Sequence, residues 1–210
     1  MPPPVIDKRH ECAWLFSHYE WLMIAVTAIV YAAVLFAVVR YRRRGDERPR
    51  GRDEAKIAES IYAGAIGVIV VILVALTFTT ESRMDALAAR PKLRIEVTAF
   101  QWQWRFDYPR SGRTVIGSPN REPTLLVPAH TQIEFSARAT DVIHSFWIPS
   151  ERFKRDAFPD RTTRFDLVFE HVGETVGHCA EFCGLRHADM NFNVRVLSPA
   201  DFRAWAGGQG

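Results

Sequence analysis

Apolar and polar residues follow two different rhythms along this chain. From Trp21 to Val39 no residue is charged, and a second uncharged run extends from Ile61 to Thr80. Each run is about 20 residues, enough at ~1.5 Å per helical residue to cross a hydrocarbon core of roughly 30 Å. Beyond residue 90 no such run occurs, and apolar residues alternate with polar ones in short stretches. The pattern predicts a membrane hairpin, with spans at about 20–40 and 58–80 within residues 1–90. A separate domain should follow over 91–210.

The alternation in that second part has the period of β-structure. Leu93–Ala99 runs into Phe100-Gln101-Trp102-Gln103-Trp104-Arg105-Phe106-Asp107-Tyr108, where aromatic and polar residues alternate, so 93–108 reads as half-buried strand. Further strands are expected at Thr124–Val127, Thr131–Arg138, Val142–Ile148, Thr163–Phe169, Thr175–His178 and Asn191–Leu197. Pro123, Pro128, Pro149, Pro159, Gly173 and Gly184 punctuate them. Many short strands separated by turn signals argue for an all-β sandwich or barrel. Pro199–Trp205 is expected to close the chain as a short helix, with Ser198 as its cap and Pro199 at its first position.

Charge sets the expected topology. Between the spans lie Arg40, Arg42, Arg43, Arg44, Arg48, Arg50, Arg52 and Lys56, against Asp46, Glu47, Asp53 and Glu54. Short basic loops stay in the cytoplasm, so both termini and the 91–210 domain are expected on the opposite, outer face of the membrane. That topological role accounts for the arginines, and nucleic acid is not expected as a partner. The first span has its dense charge after the apolar core rather than before it, so it reads as a retained helix and not a signal peptide. Cys12 lies ahead of it as an incidental thiol.

The candidate chemistry is concentrated in Cys179-Ala180-Glu181-Phe182-Cys183-Gly184-Leu185-Arg186-His187-Ala188-Asp189-Met190. Two thiols, an imidazole and a thioether are soft and borderline ligands suited to copper. His144, in Asp141-Val142-Ile143-His144-Ser145-Phe146-Trp147, offers a second imidazole. A single-copper blue site uses one thiolate, whereas a second thiolate offers a pair of sulfurs able to bridge two coppers. The same residues also permit a Cys179–Cys183 disulfide, or a zinc site of Cys179, Cys183, His187 and His144 that leaves Met190 without a role.

Taken together, the two spans, Gln101-Trp102-Gln103-Trp104, the His144 block and the C-x3-C-x3-H-x2-M segment resemble subunit II of the haem–copper cytochrome c oxidases, over nearly the whole chain. The resemblance implies a cupredoxin-like Greek-key barrel on a helical hairpin. It also implies a dinuclear copper centre, CuA, bridged by Cys179 and Cys183. His144 and His187 would each bind one copper, with Met190 and the Glu181 carbonyl as weak ligands. The Glu181 carboxylate would help hold magnesium where subunits I and II meet; on chemistry alone it could equally accept a bond from a ligand imidazole. His178, where the family often has glutamine, is taken as a supporting or surface residue.

The resemblance further implies that Trp102 receives an electron from cytochrome c and that the copper pair passes it to haem in subunit I. Oxygen would be reduced to water there, with proton pumping. Subunit III and membrane lipid are further expected partners. Alternating aromatics usually face a core, and period-two logic puts Trp102 and Trp104 on one face, so only motif position selects Trp102. Glu59, at the cytoplasmic start of the second span, matches a residue near the mouth of a proton channel; equally, an acid there suits the helix dipole. Arg105, Arg138, Arg152, Lys154 and Arg155 interrupt the acidic surface usual in the family, which would suit a less basic donor. Two other functions use the same residues: the copper subunit of a nitric oxide reductase, and a membrane-tethered copper-binding protein.

Overall fold

The computed structural model describes residues 8–42, 55–88 and 91–207. Arg43, Arg44, Arg48, Arg50 and Arg52 of the basic loop lie outside the described residues. Two long helices come first, α1 (Lys8–Arg40) and α2 (Lys56–Asp85). Neither proline nor glycine interrupts Lys8–Arg40, so α1 begins well before its apolar stretch. Each helix contains a window of mean hydropathy 2.7, none of it buried, and each is long and apolar enough to cross a membrane. Exposed Ile29, Leu35, Phe36, Ile66 and Val71 suit contact with lipid.

The chain divides into two compact units, Glu11–Arg83 and Met84–Gly210 together with Met1–His10. Inside the helical unit, the Tyr19 hydroxyl donates to the Leu73 carbonyl at 2.9 Å and meets the Thr77 hydroxyl. That bond satisfies the phenol within an otherwise apolar pair of helices. Inside the other unit, Lys8 Nζ lies 2.6 Å from Asp166 Oδ1, both side chains being buried. Asp166 Oδ2 accepts from Ala88 N at 3.0 Å and Gln132 Nε2 at 2.7 Å, so this buried carboxylate is well supplied with partners.

Ten strands form among the described residues: β1 (Leu93–Phe100), β2 (Gln103–Tyr108), β3 (Arg113–Ile116), β4 (Thr124–Pro128), β5 (Ile133–Ala139), β6 (His144–Ile148), β7 (Phe153–Ala157), β8 (Thr163–Leu167), β9 (Gly173–Cys179) and β10 (Asn191–Leu197). They build two five-stranded sheets, in the orders β3-β2-β1-β5-β8 and β4-β10-β9-β6-β7. β1–β5 and β4–β10 pair in parallel, and the other pairs are antiparallel. Helix α3 (Pro199–Gly207) follows, with Asp201 N donating to Ser198 Oγ at 3.1 Å and that hydroxyl donating to Asp201 at 2.6 Å. This reciprocal cap is the one expected for Ser198.

The expected single strand over 93–108 is a hairpin. β1 and β2 pair with Phe100 opposite Gln103, and Gln101–Trp102 form the turn. Aromatic–polar alternation runs on through the reversal, which hides the turn from a period-two reading. The turn also changes which aromatics face the core: Val97, Ala99, Trp104, Phe106 and Tyr108 are buried, while Trp102 is left half-buried at the tip.

An aromatic seam fills the space between the sheets. Phe146 stacks on Phe192 at 4.9 Å, and Trp104 meets Phe192, Phe146 and His144 edge-on at 5.3, 5.9 and 6.3 Å. Tyr108 links the sheets, its hydroxyl donating to Leu126 O at 3.0 Å and accepting from Leu126 N at 2.8 Å. Burial, only partly offset by those backbone bonds, holds its ionisation far above the usual phenol range.

Gly177 in β9 leaves room for this seam. A Cβ there would sit 2.0 Å from the Phe192 ring, which Trp104, Phe106 and Phe146 hold in place. Gly177→Ala should therefore destabilise the domain by about 1–3 kcal/mol, the usual cost of overpacking. A thermal unfolding midpoint equal to that of the parent would refute this packing.

Candidate metal centre

Two adjacent strands and one closed loop bring the candidate ligands together. β6 begins at His144 and β9 ends at Cys179, and the two strands pair with Phe146 opposite Cys179. The loop that follows is tied at its base by Cys179 N to Met190 O, 2.9 Å, and by Ala180 N to Ser145 O, 3.0 Å. Gly184 turns at φ +114°, where a Cβ would lie 3.1 Å from Gln101 Nε2 and 3.4 Å from the Trp102 indole. A short 3₁₀ turn then carries His187 and delivers Met190 to the start of β10.

The sulfur and nitrogen atoms converge. Cys179 Sγ lies 3.8 Å from both Cys183 Sγ and His144 Nδ1. Cys183 Sγ lies 3.6 Å from His187 Nδ1 and 3.7 Å from Met190 Sδ. The Cys179 thiol also faces the Glu181 carbonyl at 3.3 Å. His144, Cys179, Cys183 and Met190 are buried, whereas Glu181 is exposed and His187 half-exposed. All six groups expected from the sequence are thus brought to one place, with the Glu181 carbonyl facing inward.

Both cysteines are free thiols. Their 3.8 Å separation is far beyond a disulfide bond of about 2.05 Å. Sulfurs each about 2.3 Å from a shared tetrahedral ion stand roughly 3.8 Å apart, so the spacing suits thiolates that share metal. Among the described residues, His144, Cys179 and Cys183 form a group that could hold an ion, their ligand atoms lying within 4.8 Å of one another. Met190 Sδ beside Cys183 adds the soft thioether that copper accepts and zinc sites do not use.

Electrostatics points the same way. Burial opposes ionisation of Cys179, but bonds from His144, the backbone at Glu181 and Ser145, and His187 outweigh it and bring the thiol down to about 6. Burial and the charge of Cys179 push Cys183 up to about 12. The site readily holds one negative charge and resists a second. A bound cation would lift that resistance by compensating both thiolates.

Aspartate 141 supports the centre from behind, a role sequence reasoning did not find. Its Oδ1 lies 2.9 Å from His144 Nε2 and accepts from Val142 N at 2.7 Å. Burial pulls the His144 pKa down, but its bonds to Cys179 and Asp141 outweigh this and leave it raised. Burial likewise opposes the Asp141 charge, but bonds from Gln101 N, His144 and Val142 N leave its pKa lowered. The D-x-x-H spacing was visible, but whether the carboxylate turned toward the imidazole or toward solvent was not.

The remaining expected residues separate clearly. Trp102 packs at the hairpin tip with its indole N–H donating to Cys183 O at 3.2 Å, and Gln101 Nε2 donates to the same oxygen at 2.8 Å. Trp104 is fully buried, with its N–H directed at Met190 O, 3.4 Å. Facing therefore distinguishes the two tryptophans after all. His178 is held by Asn191 Oδ1 at 2.8 Å and lies against Trp147, outside the ligand cluster. Glu59 lies in the first turn of α2, where Oε1 accepts from Ala55 N at 3.3 Å, the arrangement of a helix-start acid.

Two membrane-capable helices precede a cupredoxin-like double β-sheet whose ligand loop could hold a metal ion. The model of the cytochrome c oxidase subunit II periplasmic domain matches residues 120–197. Cytochrome c oxidase subunit 2 of Mycobacterium tuberculosis is 28% identical, over 97% of this chain and 73% of its own. A probable cytochrome c oxidase subunit 2 of Streptomyces avermitilis is 28% identical, over 97% and 76%. The crystal structure of the periplasmic domain of cytochrome oxidase subunit II from Bradyrhizobium japonicum superposes with a TM-score of 0.52 at 28% identity, covering 58% of this chain and 95% of that one. The chain is thus similar to cytochrome c oxidase subunit II, by the family model over residues 120–197 and by its relatives over nearly its whole length.

The thiol asymmetry can be measured directly. In the copper-free chain carrying Cys12→Ser, ultraviolet thiolate absorbance should rise by one equivalent around pH 6, while the second thiol stays protonated until about 12. Simultaneous ionisation of both thiols would contradict the geometry.

Proposed function

We propose that this chain is the electron-accepting subunit of a bacterial terminal oxidase, taking electrons from cytochrome c into a dinuclear copper centre over residues 91–210. The observation that carries this reading is the paired buried thiols, each with its own imidazole: Cys179 with His144 and Cys183 with His187. When bound, the copper pair supplies a one-electron redox couple spread over two metals and two sulfurs.

The protein's own part is to fix the ligands and define a route. Cys179, Cys183, His144 and His187 are the principal ligands, and Met190 and the Glu181 carbonyl the weak ones. Because β6, β9 and β10 hold the ligand loop at both ends, little rearrangement accompanies a change of charge. Trp102 is partly accessible to a docking donor, and its N–H bond to Cys183 O connects that surface to a thiolate residue. Trp104, sealed in the core, has no such access.

In this reading the electron continues to haem in subunit I, where oxygen is reduced to water and protons are pumped. The exposed Glu181 carboxylate is available to a magnesium ion at that subunit boundary. Helices α1 and α2 anchor the chain in lipid in this reading, and the basic charge between the spans supports a copper domain on the periplasmic side. The capping contact of Glu59 accounts for that residue within this chain, and a role in proton uptake would belong to its meeting with subunit I.

Copper loading of the full chain in detergent tests the assignment. It should take up two coppers and turn purple, and Cys183→Ser should abolish the colour while the domain stays folded. Trp102→Ala should keep the colour yet slow electron uptake from reduced cytochrome c by roughly tenfold or more, a rise in barrier of about 1.4 kcal/mol. One tightly bound zinc in place of copper would reject the centre, and an unchanged uptake rate would reject Trp102.

A further inference from the structure

Three segments distant in sequence meet behind the thiol pair. The β1–β2 turn carries Gln101 and Trp102, the approach to β6 carries Asp141 with His144 opening the strand, and the ligand loop carries Cys183. Two bonds join the turn to the ligand loop, from Gln101 Nε2 and Trp102 Nε1 to Cys183 O, at 2.8 and 3.2 Å. A third segment-to-segment bond runs from Gln101 N to Asp141 Oδ2 at 2.7 Å. Beside it, Thr140 N donates to Ala99 O at 3.0 Å.

Asp141 therefore serves both directions at once. Its Oδ2 accepts from the tryptophan turn, while its Oδ1 meets His144 Nε2 at 2.9 Å and accepts from Val142 N at 2.7 Å. His144 Nδ1 faces Cys179 Sγ and Nε2 faces the carboxylate, so in the tautomer that frees Nδ1 for a metal the Nε2–H donates to Asp141. Three N–H groups thus converge on two oxygens of one side chain. A carboxylate accepts on both oxygens, whereas an amide of the same shape accepts on only one.

We propose that Asp141 is a positioning residue that clasps the electron-accepting tryptophan turn and the ligand His144 into one unit. Through it, the orientation of the Trp102 indole and the orientation of the His144 ring are fixed by the same group. This reaches beyond a surface charge for donor docking, because the three contacts are internal to the chain and exist without a donor. The catalytic consequence rests on the copper reading of the cluster; the clasp itself does not.

The clasp is tested on the copper-free full chain by hydrogen exchange, comparing the parent with Asp141→Asn, Asp141→Ala and the distant control Asp107→Asn. In Asp141→Ala, exchange should accelerate in both 99–104 and 141–145, by roughly five- to tenfold for each bond lost. In Asp141→Asn the amide oxygen should keep the two donors at His144 and Val142. Its NH₂ then faces Gln101 N–H, so only 99–104 should accelerate.

After copper loading, Asp141→Asn should retain the parent spectrum while electron uptake slows roughly tenfold, and that slowing should persist at ~1 M salt, where charge steering is screened. Asp141→Ala should alter both spectrum and uptake. Unchanged exchange at 99–104 in both variants would overturn the clasp, as would an uptake defect that disappears at high salt. Failure to bind copper would count against the proposed function instead, and leaves the exchange result standing as the test of the clasp.

Discussion

The central constraint on this domain is the placement of two thiols 3.8 Å apart inside a closed protein interior. Ionising both there sets two like charges side by side with little water to screen them, which the structure alone resists. Much of the surrounding architecture answers that difficulty. Pairing of β6 with β9 places His144 beside Cys179, and the 3₁₀ turn places His187 beside Cys183. Each sulfur acquires an imidazole, and Met190 closes the set beneath Cys183. A cation bound among these groups would complete the electrostatics.

Rigidity of the centre comes from the aromatic seam rather than from the loop itself. Phe192, one residue into β10 beyond Asn191, stacks on Phe146, two residues beyond His144 in β6. Trp104 wedges against both and against the His144 ring. The strands that emit the ligands are thus locked to one another by ring contacts immediately behind the site. Gly177 makes that packing possible by leaving the Phe192 ring its space.

Much of this was legible in the sequence, for identifiable reasons. The ligand set declared itself because soft donors rarely occur at such spacing, and the apolar runs declared the helices by length alone. β3 (Arg113–Ile116) and β7 (Phe153–Ala157) were missed, since both are short and rich in charged or polar residues. Edge strands with solvated faces carry little hydrophobic signal, and both lie at sheet edges. The turn at Gln101–Trp102 was hidden by alternation that continues through it, and with it the difference between an accessible Trp102 and a sealed Trp104. Asp141 was visible as a residue but not as a contact, because Gln101 lies 40 residues away and nearness in sequence to Val142 and His144 does not say which way the carboxylate turns.

The proposed function rests on one claim, that the two thiolates share a pair of copper ions. Electron paramagnetic resonance of the copper-loaded full chain addresses it most directly. One unpaired electron shared equally by two copper nuclei gives the many-line hyperfine pattern of a coupled pair, and that is the pattern this structure predicts. The simpler pattern of an electron confined to a single copper nucleus would contradict the shared centre.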